Sequence, residues 1–397
     1  MSISHRRVAH TRVSPAARNP GCRTNDDGWL LSWALVASAG LALATPLLPL
    51  AASAASRVSQ PEWRDPSNHE VRLVAVEEGV HLEVLDWGGE GPAIVLLAGA
   101  GSSAHVYDEL APELTDVCHV YGITRRGHGA SSRPPSGYDE QRLADDVLRV
   151  LDSLHIEKPV VVGHSMAGGE ITKGAHQHSD RLAGLVYLDA LGDPRDWPAS
   201  DPAYMALVEK LPASAEGPPA ECKEDRSSFG SYRDSLECRM GFAFPESELR
   251  NTYRRNADGS VGPHTTPGSV HEAIGAGQEK RDYSNITVPV LALFEFPRVG
   301  VPHTGSGDPQ PLNDEERAAL RAFEEATKVY VDRWVANLTG SVPEAKLVDL
   351  PGAGHYVFLT RRAEVLNQLR SFVRHLTGVP ALAEPAHRTR TDRSPLP

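Results

Sequence analysis

This chain is poor in the residues that mark several large classes of protein. It has only four cysteines in 397 residues (Cys22, Cys118, Cys222 and Cys238), and no two have the spacing of a zinc motif. No His/Asp/Glu set has metal-ligand spacing either, so no metal is expected. Basic residues are outnumbered, 40 against 52 acidic, for a net charge of −12. That balance argues against a nucleic-acid partner. Residues 1–57 carry six of the basic groups and two of the acidic ones, so the remainder holds 34 basic and 50 acidic groups, a net of −16. There is no basic patch for a membrane surface, and no stable membrane partner is expected. The glycine-rich stretches lack a Gly-Lys-Ser/Thr ending, which excludes a phosphate loop. Internal repeats are absent, so the chain is not a solenoid.

Long apolar runs are confined to one place. A basic lead is followed by the uncharged, Leu- and Ala-rich stretch 28–56, which ends in Leu50-Ala51-Ala52-Ser53-Ala54-Ala55. Pro46 and Pro49 interrupt it. This is the layout of an export signal with small-x-small cleavage sites, and residues 1–57 are read as that segment. The alternative is an uncleaved N-terminal anchor. Cys22 would leave with the signal. Cys118 sits in an apolar strand and reads as a buried thiol. Cys222 and Cys238 flank a polar segment and could pair in an oxidising compartment.

What is present is a rhythm of strands and helices. Residues 58–70 read as a polar linker. Val71–Val76 and Val80–Trp87 alternate apolar and polar residues about a turn, as an antiparallel pair does. Ala93–Ala98 is a continuous apolar run, the mark of a strand covered on both faces. A helix is expected over Ala104–Leu114, a strand over Val117–Ile123, a helix over 139–154, and strands at Pro159–Gly163 and Leu185–Ala190. The alternation predicts a parallel sheet with helices on both faces, and active groups at the carboxyl ends of its strands. It stops at Gly192. Residues 193–285, rich in Pro, Gly, Ser and charge, read as an inserted cap. Val288–Phe294 resumes the sheet, a helix runs from Asn313 or Asp314 to about Asn337, and Lys346–Leu350 is the last strand. A helix over about Glu364–Leu376 closes the core, which therefore comprises 58–192 and 286–378. Residues 379–397 read as a disordered tail.

The stretch that organises the chain is Val160-Val161-Val162-Gly163-His164-Ser165-Met166-Ala167-Gly168. A buried strand runs into a serine flanked by small residues, and helix-forming sequence follows. That is a nucleophile elbow. The turn is tight, so Gly163 and Ala167 must be small. The Met166 amide, at the start of the helix, can bind a developing oxyanion.

The elbow, the loop Arg126-Gly127-His128-Gly129-Ala130-Ser131 and the end Leu350-Pro351-Gly352-Ala353-Gly354-His355 together resemble the α/β-hydrolase superfamily, over roughly residues 71–192 and 286–377. The likeness is strongest to its capped esterase, haloperoxidase and dehalogenase-like branch, with serine as nucleophile. It implies a mostly parallel eight-stranded sheet plus an inserted cap. It also implies Ser165 as nucleophile and His355 as base. The acid departs from the usual pattern: Phe294-Glu295-Phe296-Pro297 stands where the superfamily has Gly-x-x-Asp. Asp189, at the end of the preceding strand, is the first candidate. Glu295 is the runner-up, and loop acids such as Asp308 follow. Ala100, after Ala98-Gly99, takes the position of the second oxyanion donor beside Met166. Arg126 is read as structural, His128 and His164 as structural neighbours, and His264, His271 and His303 as solvated loop residues.

The resulting expectation is an exported serine hydrolase acting on a small-molecule carboxylic ester or related acyl compound, without a cofactor. A peptidase, a lactonase, a cofactor-free haloperoxidase-like enzyme and a non-catalytic ligand-binding protein are the alternatives. Apolar and aromatic residues of the inserted segment (Trp197, Tyr204, Phe229, Tyr232, Phe242 and Phe244 among them) would line the entrance or form the cap's own core. The oligomeric state is left open.

Overall fold

The computed structural model describes residues 63–196, 198–211, 221–296 and 313–378. The expected export segment (1–57) and tail (379–397) lie outside the described residues, as do Trp197, His303 and Asp308.

Eight strands form one sheet: β1 (Glu70–Glu77), β2 (Val80–Gly88), β3 (Ala93–Leu97), β4 (His119–Ile123), β5 (Val160–His164), β6 (Gly184–Leu188), β9 (Val290–Phe294) and β10 (Lys346–Asp349). Their spatial order is β1-β2-β4-β3-β5-β6-β9-β10. The β1–β2 and β2–β4 pairs are antiparallel, and all the others are parallel. The short strands β7 (Tyr253–Arg255) and β8 (Val261–His264) form a separate antiparallel ribbon. Among the described residues the α-helices are α1 (Glu140–Ser153), α2 (Ala167–His178), α3 (Pro202–Val208), α4 (Phe229–Met240), α5 (Glu246–Thr252), α6 (Gly268–Gly277), α7 (Asp314–Ser341), α8 (Val357–Thr360) and α9 (Arg362–Thr377).

Strand pleating divides the core. Ile94 and Leu96 of β3 pack on one face with Leu369 and Phe372 of α9. Val95 and Leu97 pack on the other with Val150 and Leu151 of α1, Ile171 of α2 and Leu338 of α7. Successive side chains of a strand point to opposite faces, so a strand covered on both sides must be apolar throughout. Each such residue, fully buried, contributes roughly 2 kcal/mol relative to exposure. Helix α7 begins at a capping box, in which Asn313 and Glu316 satisfy each other's backbone amides.

Three expectations are corrected. The helix expected over 104–114 is two 3-10 turns, Ala104–Tyr107 and Ala111–Leu114. Pro112 has no N–H to give and its ring would clash with the carbonyl one turn back, so a continuous helix is blocked there. The described part of the polar linker is docked: Trp87 Nε1 donates to Ser67 Oγ at 3.2 Å, and the Arg250 guanidinium lies 4.7 Å from the centre of the Trp63 ring. Finally, the segment between β6 and β9, in which no regular alternation was legible, holds α3 to α6 and the β7–β8 ribbon. Cys222 and Cys238 form a disulfide there, with Cα atoms 5.5 Å apart, and Cys118 is a buried free thiol.

Candidate active site

The sheet sets the site. Strands β5, β6, β9 and β10 lie side by side and parallel. Their carboxyl ends therefore bring Ser165, Asp189, Glu295 and the 350–355 loop to one edge. Ser165 has φ +55° and Asp189 has φ +44°, left-handed conformations that few non-glycine residues adopt. Such strain costs on the order of 1–3 kcal/mol and persists only where surroundings over-determine it. Here they do: Ser165 N donates to Leu188 O, and Asp189 N donates to Leu293 O at 2.8 Å. Small residues close the turn. A Cβ on Gly163 would meet the Ala167 backbone at 3.0 Å, and one on Gly168 would sit 2.1 Å from Ala190 O.

His355 bridges the two strained residues. Its Nε2 lies 3.0 Å from Ser165 Oγ, and its Nδ1 lies 2.6 Å from Asp189 Oδ2. All three side chains are partly open to solvent. The runner-up acid is placed elsewhere. Glu295 accepts the amides of Gly352 and Gly354, each at 2.8 Å, and so clamps the loop that presents His355. Those two glycines have φ of +66° and +60°, a conformation that favours glycine. Beneath the loop, His164 Nε2 donates to His355 O at 3.0 Å. Burial, reinforced by the neighbouring His355, holds the His164 imidazole well below its ordinary pKa and hence neutral.

The loop after β3 approaches from the other side of β5. Gly99 packs against the elbow: a Cβ there would meet His164 Nδ1 at 2.8 Å and Ser165 Cβ at 3.0 Å. Ala100 follows it, and both Ala100 and Met166 are half-buried. The carbonyls of this loop are tied down by Arg125, which donates to Ala98 O at 2.8 Å and Gly99 O at 3.3 Å while pairing with the buried Glu170. Arg126 points away, to Asp146 and Glu77.

Four contributors were not legible in the sequence. Arg125 immediately precedes the Arg126–Ser131 loop, and no motif marks it. Glu248 reaches in from α5 and accepts from Ser103 N at 3.1 Å and from Ser103 Oγ. Burial pushes its carboxyl up to about 7, against the opposing hydrogen bonds from Ser103. His264 and His271 are not solvated loop residues. His264 Nε2 donates to Gly101 O at 2.9 Å. His271 is buried on α6, and burial, with His264 and Arg125 nearby, pushes its pKa down to about 4. Helix α6 also supplies Val270 and Ile274, which pack with Tyr138 and Leu143 against Met166.

The chain belongs to the alpha/beta hydrolase family, whose model matches residues 94–368. Among curated proteins it is similar to epoxide hydrolase A of Mycobacterium tuberculosis, 35% identical over 121 residues, 30% of this chain and 38% of that one. It is also similar to a non-heme chloroperoxidase of Burkholderia pyrrocinia, 27% identical over 239 residues, 55% of this chain and 80% of the relative. The chain spans less than half the length of several of the curated relatives it matches. The crystal structure of E-2-(acetamidomethylene)succinate hydrolase shares the fold, with a TM-score of 0.55 at 19% identity, covering 77% of this chain and 99% of the other.

Proposed function

We propose that this chain is a serine hydrolase that cleaves a carboxylic ester or a related acyl compound through an acyl-enzyme. The observation that carries the reading is the hydrogen-bonded row from Ser165 Oγ through His355 to Asp189 Oδ2, at 3.0 and 2.6 Å. In it Ser165 Oγ attacks the acyl carbon while His355 Nε2 takes the hydroxyl proton. Asp189 holds the imidazole in the tautomer that leaves Nε2 free to accept, and stabilises the imidazolium that forms. The amides of Met166 and Ala100 receive the negative charge on the carbonyl oxygen. His355 returns its proton to the leaving alcohol. Water, activated by the same imidazole, then attacks the acyl-enzyme and releases the acid and Ser165.

Residues 193–285 act as a cap in this reading. Phe229, Tyr232 and Phe244 are buried in the core cluster, while Phe242 is only partly buried and lies 5.3 Å, ring to ring, from Tyr356, the neighbour of His355. That placement favours an apolar group on the substrate. The export reading rests on the 1–57 sequence and accords with the Cys222–Cys238 disulfide. N-terminal sequencing of protein recovered from the culture medium or periplasm tests it.

The test of the chemistry is labelling by a fluorophosphonate, which reports an activated serine. The wild type labels and turns over members of an acyl-ester panel, and Ser165→Ala does neither. Wild-type protein that neither labels nor hydrolyses any ester overturns the reading. The chloroperoxidase relative favours a second reading, a cofactor-free haloperoxidase-like activity from the same residues. Halogenation in the presence of peroxide and halide, without ester turnover, would select it.

A further inference from the structure

Away from Ser165, four potential ligands converge where the segment before β1 meets the turn after β3. Asp65 and His69 come from the first and His105 and Asp108 from the second. One ligand atom from each lies within 4.8 Å of all the others. His105 Nδ1 is 2.9 Å from Asp108 Oδ2 and 3.5 Å from Asp65 Oδ2. His69 Nδ1 is 3.1 Å from Asp108 Oδ1, and His69 Nε2 is 3.9 Å from Asp65 Oδ2. A tetrahedral Zn2+ with bonds of about 2.0–2.2 Å sets its donors roughly 3.3–3.5 Å apart. His105 Nδ1 lies near that distance from both Asp108 Oδ2 and Asp65 Oδ2, and one atom from each of the four residues stays within 4.8 Å of the others.

A second observation points to a ligand. The His69 side chain is only 4% exposed, and its buried Nδ1 meets no hydrogen-bond partner, the nearest group being Asp108 Oδ1 at 3.1 Å. A buried imidazole nitrogen left so is costly, and a metal bond would satisfy it. The surroundings also have the form of an outer ligand shell. His105 Nε2, the nitrogen turned away from Asp108, faces Glu83 Oε1 at 3.6 Å. Trp87 Nε1 donates to Asp108 Oδ1 at 3.2 Å, and Ser247 Oγ donates to Asp108 Oδ2 at 2.5 Å. Metal-bound histidines and carboxylates are oriented by such partners.

We propose that Asp65, His69, His105 and Asp108 form a closed binding site for one divalent cation, with Zn2+ the best match. Two carboxylates balance the charge of the ion, and two imidazoles with two oxygens suit zinc better than calcium or magnesium. No water position is needed to complete four-fold coordination, so the role is structural rather than catalytic. The ion would fasten the segment before β1 to the loop that continues back to Gly99 and Ala100. Through Ser247 it would also fasten helix α5. The sequence conceals the set, because its two halves are far apart along the chain. The competing arrangement is an imidazolium at His105 paired with Asp108 and Glu83, and it takes up no metal.

The test uses untagged protein, stripped with a chelator and titrated with Zn2+. Metal retained after desalting and the thermal midpoint are read together. The expected result is one Zn2+ per chain with a saturable rise in melting temperature. In Co2+-loaded protein, the visible absorption should be that of a tetrahedral site. His69→Ala should lose the retained metal and keep fluorophosphonate labelling, which reports folding independently. Should that variant fail to label, Asp65→Asn decides, since it changes one partly exposed oxygen; it should bind Zn2+ roughly tenfold or more weakly. Stripped wild type that takes up no more Zn2+ than Asp65→Asn overturns the proposal.

Discussion

The carboxylate of Glu295 accepts, at 2.8 Å, the amide of Gly354, the residue immediately before His355. An acid at the end of β9 thus positions the backbone that carries the imidazole, while Asp189 at the end of β6 meets the imidazole itself. The two acids can be told apart. Asp189→Asn should lower kcat by about 10⁴-fold with little change in stability, because it leaves the tautomer uncontrolled. Glu295→Gln should instead cost stability, about 1–3 kcal/mol, since one acceptor becomes a donor facing an amide. Its activity should fall much less. Ester turnover beside urea unfolding separates the outcomes, and equal losses of kcat would remove the distinction.

The left-handed backbone at Ser165 makes a prediction of its own. Ser165→Ala and Ser165→Gly should both abolish labelling and lower turnover by about 10⁶-fold. They should differ in stability. Alanine retains the strain at φ +55° and glycine releases it, so the glycine variant should be the more stable by about 1 kcal/mol. Thermal melts of the two inactive proteins make the comparison, and a more stable alanine variant would contradict it.

Gly99 should be intolerant of even one methyl group. The added Cβ would press on Ser165 Cβ at 3.0 Å and on His164 Nδ1 at 2.8 Å. Gly99→Ala should cost roughly 1–3 kcal/mol of stability. It should also lower kcat by about 10²-fold through displacement of the serine. Rates of fluorophosphonate labelling report that displacement directly, and a variant labelling at the wild-type rate would refute it.

Glu248 should make stability fall with rising pH. Burial raises its carboxyl from 4.5 in the unfolded chain to about 7 in the folded one. The folded state therefore holds the proton more tightly. The contribution is fully present below about pH 4.5 and is lost as pH rises through 7, to a total of roughly 3 kcal/mol. Glu248→Gln cannot ionise, so its stability relative to wild type should improve steadily between pH 5 and 7. Denaturant unfolding at a series of pH values gives that difference. A constant difference would mean that Glu248 is already ionised at the low end of the series.

The parts legible in the sequence were those fixed by local chemistry. The apolar runs of β3, β5 and β6 admit only doubly covered strands. The glycine and alanine around Ser165 admit only a tight turn, and Asn313 with Glu316 announces the start of α7. Interactions that couple distant segments were hidden. Glu248 meets Ser103 and His264 meets Gly101 across more than 140 residues, and no period or motif marks them. The stretch 104–114 departs from the expected helix because Pro112 cannot continue one, so it breaks into two 3-10 turns. The acid was hard to place because two strand-end carboxylates, Asp189 and Glu295, had equivalent positions in the chain, and only side-chain direction separates them.

Asp189 follows Ser165 by one strand and its crossover helix, and the long excursion into α3–α6 begins only after it. Ser165 and Asp189 are thus set by a single compact βαβ unit, locked by the β5–β6 ladder. The inserted segment can then vary at its surface without altering that unit, provided that its buried contacts with the core and with Met166 are kept, that β9 still docks and that the His355 loop returns. The inserted segment is modular in this sense. A graft from a relative at this junction would alter selectivity while leaving the hydrogen-bonded row intact.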